Sequence, residues 1–130
     1  MLSVTWSVED QNLDIDLFLT RFPLSTTIVW YKGRPNRRGV LYTTSGCSLA
    51  VDQQDTDDEN TLYGSMQSFM TIHKTMLDWL QNRHIVNAFD IGMTIGEAPY
   101  FTRTLHLRPS LLALCVASNV GIKISAYPCG

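Results

Sequence analysis

Four cations crowd one short stretch of this chain: Lys32, Arg34, Arg37 and Arg38, with Trp30 and Tyr31 at the entrance. Guanidinium forks suit phosphate or carboxylate, and an aromatic neighbour offers a surface for stacking. The same residues also serve a plain structural purpose, since a charged, solvated turn keeps an edge strand from pairing with other chains. Gly33, Pro35 and Gly39 punctuate the stretch and mark it as a turn.

The opposite charge gathers further on, in Asp52, Asp55, Asp57, Asp58 and Glu59. A calcium loop is the chemistry to test first, and the spacing rejects it. Counted from Asp55, Asn60 stands where the turn glycine belongs and Met66 stands where the closing glutamate belongs. The readings that remain are, in order, a solvated loop whose acids favour the start of the next helix, an acidic surface that covers the basic site of a nucleic-acid-processing toxin, and last a metal site of another kind.

No catalytic constellation emerges. His73 falls within an apolar helical stripe, where a histidine is expected to be a hydrogen-bonded core residue. His84 and His106 have no metal-ligand spacing to it or to each other, and no paired cysteines suggest zinc. Cys47 with a remote histidine is a pairing that any such chain would offer. The chain lacks a nucleophile elbow, a phosphate-binding loop and a dinucleotide fingerprint, so no cofactor is expected.

The elements that must position these residues follow from periodicity. Leu2, Val4, Trp6 and Val8 alternate with polar residues and predict a strand. Asp14 caps a helix that Leu13, Leu17, Phe18 and Phe22 make amphipathic and Pro23 ends. Ile28–Tyr31 predicts a strand, and Val40–Thr43 and Cys47–Val51 predict two more, joined at Thr44–Gly46. Leu62, Met66, Phe69, His73, Met76 and Leu80 predict one long helix by their four-three spacing. Phe89–Ile95 and Tyr100–Leu107 predict a hairpin around Gly96–Pro99. Pro109 opens a last helix over Leu111–Cys115, and Ile122–Tyr127 closes the chain as a strand.

The expected architecture is one α+β domain over residues 1–130, in the order βαβββαββαβ. The sheet is expected to be mainly antiparallel, with room for parallel pairs at the two βαβ-like ends, and the helices to form a second layer on one face. A length of 130 residues, 45% hydrophobic and 17% charged, suits one folded domain with a real core. The net charge of -2 gives no global attraction to nucleic acid, and direct nucleic-acid binding is not expected. Three cysteines, Cys47, Cys115 and Cys129, are an odd, sparse set that predicts reduced thiols. No signal peptide is visible and the longest apolar run, Leu111–Ala117, is far short of a membrane span. A cytoplasmic location without membrane contact is the expectation.

Several segments together resemble a bacterial domain family, the domain of unknown function numbered 4279. They are Asn12-Leu13-Asp14 leading to Phe22-Pro23-Leu24, then Tyr31-Lys32-Gly33, Leu105–Leu112 and Ile122–Tyr127. The resemblance covers both ends and leaves the acidic middle unmatched. It implies a small bacterial α/β domain without an assigned reaction, of a kind found in toxin–immunity neighbourhoods. The function expected is non-catalytic: an immunity- or antitoxin-like protein that neutralises a toxin by direct binding. Its expected contacts are Trp30, Lys32, Arg34, Arg37 and Arg38, together with Asp55, Asp57, Asp58 and Glu59. The alternative is a small enzyme or ligand-binding domain with a pocket between sheet and helices.

Overall fold

The computed structural model describes residues 1–26, 28–52, 57–96 and 101–129. Among them run β1 (Leu2–Asp10), α1 (Ile15–Arg21), β2 (Ile28–Trp30), β3 (Ser45–Ala50), α2 (Glu59–Ile72), α3 (Lys74–Asn82), β4 (Asn87–Ile95), α4 (Pro109–Ala117) and β5 (Gly121–Pro128). The fold is α+β. The five strands form one mixed sheet in the order β2-β3-β1-β4-β5. Every pairing is antiparallel except β4 with β5, which α4 joins as a crossover.

The alternation in β1 decides which face of the sheet is buried. Leu2, Val4, Trp6 and Val8 are buried and meet the inward residues of both neighbours, as in Trp6 opposite Leu49 and Phe89. The helices cover this face. Phe69 of α2 packs its ring 5.3 Å from Trp6 and 5.6 Å from Phe89, and Phe18 of α1 lies 5.7 Å from Trp79 of α3. Leu111 and Cys115 of α4 join the same core. The other face carries Ser3, Thr5, Ser7 and Asp90 and is not covered by a described helix.

Three elements differ from expectation. The long helix divides at His73, whose backbone (φ -102°, ψ 24°) leaves the helical region and begins a new helix. Both halves still bury their apolar residues, Met66 and Phe69 before the break and Met76 and Leu80 after it. The residues expected to form a strand at Val40–Thr43 make only an isolated bridge between Leu41 and Pro35, and Thr44–Gly46 is no turn, because β3 already starts at Ser45.

The return strand expected at Tyr100–Leu107 does not form over its described part; Tyr100 and the turn residues before it lie outside the described residues. The alternation there is nonetheless real. Arg103, Leu105 and Leu107 are half-buried while their neighbours are exposed. The segment is extended chain laid against α2. Its backbone is held in part by a carboxylate, with the His106 amide donating to Glu59 Oε2 at 3.4 Å. Period-two patterning reports an extended, half-buried chain, and only a backbone partner turns that into a strand.

Candidate functional site

The cationic turn is built on the edge of the sheet. Its backbone folds back on itself: the Gly33 amide donates to the Tyr42 carbonyl and the Tyr42 amide to the Arg34 carbonyl, both at 2.9 Å. The tip is closed by Asn36, whose Oδ1 accepts from the amides of Arg38 and Val40 at 2.8 and 3.0 Å. An asparagine side chain mimicking a backbone turn is a local device that needs no tertiary support. The left-handed backbone at Gly33 and Gly39 (φ +85° and +78°) explains both glycines.

Aromatic rings anchor the turn to the domain. The Trp30 indole donates to Thr44 Oγ1 at 3.3 Å, and that hydroxyl donates to Glu9 at 3.0 Å. The Trp30 ring stacks with Tyr42 and lies across Gly46. A Cβ at position 46 would sit 2.2 Å from the Val8 carbonyl oxygen and 2.7 Å from the Trp30 ring, so only glycine seats the indole there. On the neighbouring residue, the Tyr31 hydroxyl donates to Asp16 at 2.8 Å and the Arg34 guanidinium lies 4.5 Å from the ring centre. The bond to Asp16 raises the Tyr31 hydroxyl above its ordinary pKa.

Arg34 is therefore partly engaged. Lys32, Arg37 and Arg38 are exposed, and their side chains form no ion pair among the described residues. Beside them, Val40 and Leu41 are 61% and 58% exposed. Sequence patterning predicts a strand for this apolar pair; the closely spaced Gly39 is the signal that it belongs to the turn tip.

The acids behave differently. Asp57 takes the Met1 amino group at 2.9 Å and Arg103 at 3.5 Å, and the amino group holds its carboxyl below the usual range. Asp58 caps α2, accepting from the Asn60 amide and the Thr61 hydroxyl. Glu59 accepts from the Tyr63 hydroxyl and the His106 amide. Asp52 accepts from Ser65. Asp55 lies outside the described residues. The cluster thus secures the start of α2 to the 101–108 segment, a role that the sequence signals only in the place of Asp58 and Glu59 at the start of a helix.

The two charged regions sit at opposite ends of β1, because Asp10 pairs with Ser45 next to the turn while Met1 reaches Asp57. Nine strand residues separate them by roughly 26 Å. That is about three Debye lengths at physiological salt, so each region acts on a partner independently.

A cleft of about 720 Å³ lies between α2, the end of β3 and the chain after α1, lined by Leu24, Val51, Ser65, Ser68, Phe69 and His73. Burial lowers the His73 pKa, and its ring packs 4.5 Å from Phe69. Cys47 is fully buried and burial pushes its thiol up to about 11, so it is no thiolate nucleophile at neutral pH. No cluster of three metal-ligating side chains occurs among the described residues. No described helix is long and apolar enough to cross a membrane.

No protein-family model, curated protein or solved structure matches this chain.

Proposed function

We propose that this chain is a non-catalytic, cytosolic binding protein of the immunity or antitoxin type, which neutralises a toxin by direct contact through the Lys32–Leu41 turn. One observation carries the reading: Lys32, Arg37 and Arg38 stand exposed and without ion pairs among the described residues, on a turn whose backbone is internally closed. A preformed turn loses little entropy on binding, and arginines beside an apolar pair suit the centre of an interface. The partner surface is acidic.

The test is kinetic. The partner is isolated by pull-down from the native host, and its association rate is then measured with wild type and with Arg37→Glu/Arg38→Glu. The charge reversal is expected to slow association by about tenfold or more at low salt and to remove the salt dependence. Unchanged association would move recognition elsewhere. Neutralising Asp57 is the matched control at the far end of β1.

A second reading rests on the cleft beside His73, whose volume falls in the range of small-ligand sites. In that case a bound metabolite protects the chain against thermal unfolding, and His73→Ala abolishes the protection without affecting partner capture.

A further inference from the structure

The two edges of the sheet are unequal. β2 offers three residues, whereas β5 offers eight, from Gly121 to Pro128, with no described element paired to its outer side. Long, nearly uncharged edges recruit further strands, and proteins block or pair them. Lys123 is the only charged residue in β5, and it has Asp90 as its register neighbour.

The phase of the ladder tells which backbone groups are free. The Cys129 amide donates to the Ile95 carbonyl at 2.9 Å, and the parallel register runs unbroken from Ala88↔Gly121 to Ile95↔Pro128. Residues 121, 123, 125 and 127 therefore bond to β4, while Ile122, Ile124 and Ala126 turn their amides and carbonyls outward. The Thr94 amide, which donates to Met1 on the far side of β4, confirms that phase.

An apolar row flanks the free edge on the helix side. Ile124 is 50% exposed although its register neighbour Ile91 is fully buried. On α4, Leu111 and Cys115 face the core, and Leu114 and Ala117 line a cleft shared with α2 and α3. Leu112 and Val116, one turn apart on the flank away from α2, are 40% and 79% exposed.

We infer that β5 is the pairing edge of a two-fold homodimer, in which two copies join antiparallel about Ile124 into one continuous sheet. The occupant is a second copy because this edge is complementary to itself. Centred on Ile124, Ile122 opposes Ala126 of the other copy, and every outward amide and carbonyl of Ile122, Ile124 and Ala126 finds a partner. Lys123 opposes Ser125, so no like charges meet. Pro128, which has no amide hydrogen to give, falls just beyond the ladder. Centring on Ser125 instead would place the proline opposite Ile122 and waste a bond. The dyad also brings together the Ile124 side chains and the Leu112–Val116 flanks of the two α4 helices. This surface lies at the opposite edge of the sheet from the cationic turn, so dimer and partner occupy separate faces.

The experiment is light scattering on the full chain across a micromolar dilution series. Wild type is expected at twice the chain mass. Ile124→Pro is expected at the monomer mass with an unchanged circular dichroism spectrum, because the amide it removes points away from β4. In a Cys129→Ser background, Ile124→Cys is expected to oxidise to a covalent dimer, since facing Cα atoms of a hydrogen-bonded antiparallel pair lie about 5.5 Å apart. Lys123→Cys in the same background is expected to remain monomeric on denaturing gels. The cysteine pair decides the matter if Ile124→Pro fails to fold. A monomeric wild type throughout the series, including one whose edge takes up a partner's peptide instead, overturns the inference. So does a dimer that survives Ile124→Pro, or one that cross-links at position 123 rather than 124.

Discussion

At one end of β1, Asp57 accepts from Arg103 and the Met1 amino group, Asp58 caps α2, and Glu59 holds Tyr63 and the His106 amide. At the other end, Arg37 and Arg38 project from a turn whose backbone is satisfied without them. In sequence the two segments look like mirror images, each a short run of one sign. Among the described residues of the folded chain, the acids mostly hold structural partners, and Lys32, Arg37 and Arg38 form no ion pair. A charge run is informative only once its internal partners are known, because a charge already held by its own fold has less to offer another molecule.

The contrast can be broken in several ways. The largest effect is expected at the seat of the turn. Gly46→Ala forces a methyl group against the Val8 carbonyl and the Trp30 ring and should cost about 3 kcal/mol in chemical denaturation. A stable variant would mean that the cationic turn does not depend on the sheet beneath it. Next comes the acidic side. Asp58→Ala removes the cap of α2 and should cost about 1 kcal/mol, read as a lower denaturation midpoint at constant slope. If that loss is absent, the acids are as dispensable to the fold as the arginines.

A smaller, pH-dependent effect belongs to His73. Burial holds the folded ring below its usual 6.5, so the unfolded chain binds more protons in the interval between the folded and unfolded values. Stability therefore rises with pH across that interval and declines as pH falls from above 6.5 toward the folded value. The decline of the denaturation midpoint in acid should be smaller for His73→Gln than for wild type if this group carries the slope. The smallest effect is expected for Arg37→Glu/Arg38→Glu, whose stability should stay within about 0.5 kcal/mol of wild type. A larger loss would show that these cations, too, serve the fold.

How far the residues spoke for themselves depended on whether a pattern had one physical cause. The alternation in β1 and β4, the Asp14 cap and Pro109 at the start of α4 were legible, since local chemistry and burial agree there. The 101–108 segment was not. Alternation fixes which side chains are buried but not which group accepts the backbone amides, and Glu59 is distant in sequence. The division of the long helix at His73 was equally hidden, because apolar spacing continues through it. For the site, the cations and their aromatic neighbours were readable as a group. That Arg34 is drawn over Tyr31, and that Val40 and Leu41 stay exposed beside the tip, required the backbone path.

The position of β1 at the centre of the sheet has a consequence for the newborn chain. Its first neighbour, β3, is complete at residue 50, but its second neighbour spans residues 87 to 95, with Leu2 opposite Met93. On a ribosome the gap between the two takes on the order of several seconds at ordinary elongation rates. Throughout that interval the β4-facing side of β1, which carries Val4 and Trp6, has no native strand to pair with. Long-range pairing of this kind also slows folding in general. The hazard of a wrong partner is then set by the pace of translation and by how quickly α2 and α3 cover the apolar face, whatever the stability of the finished domain.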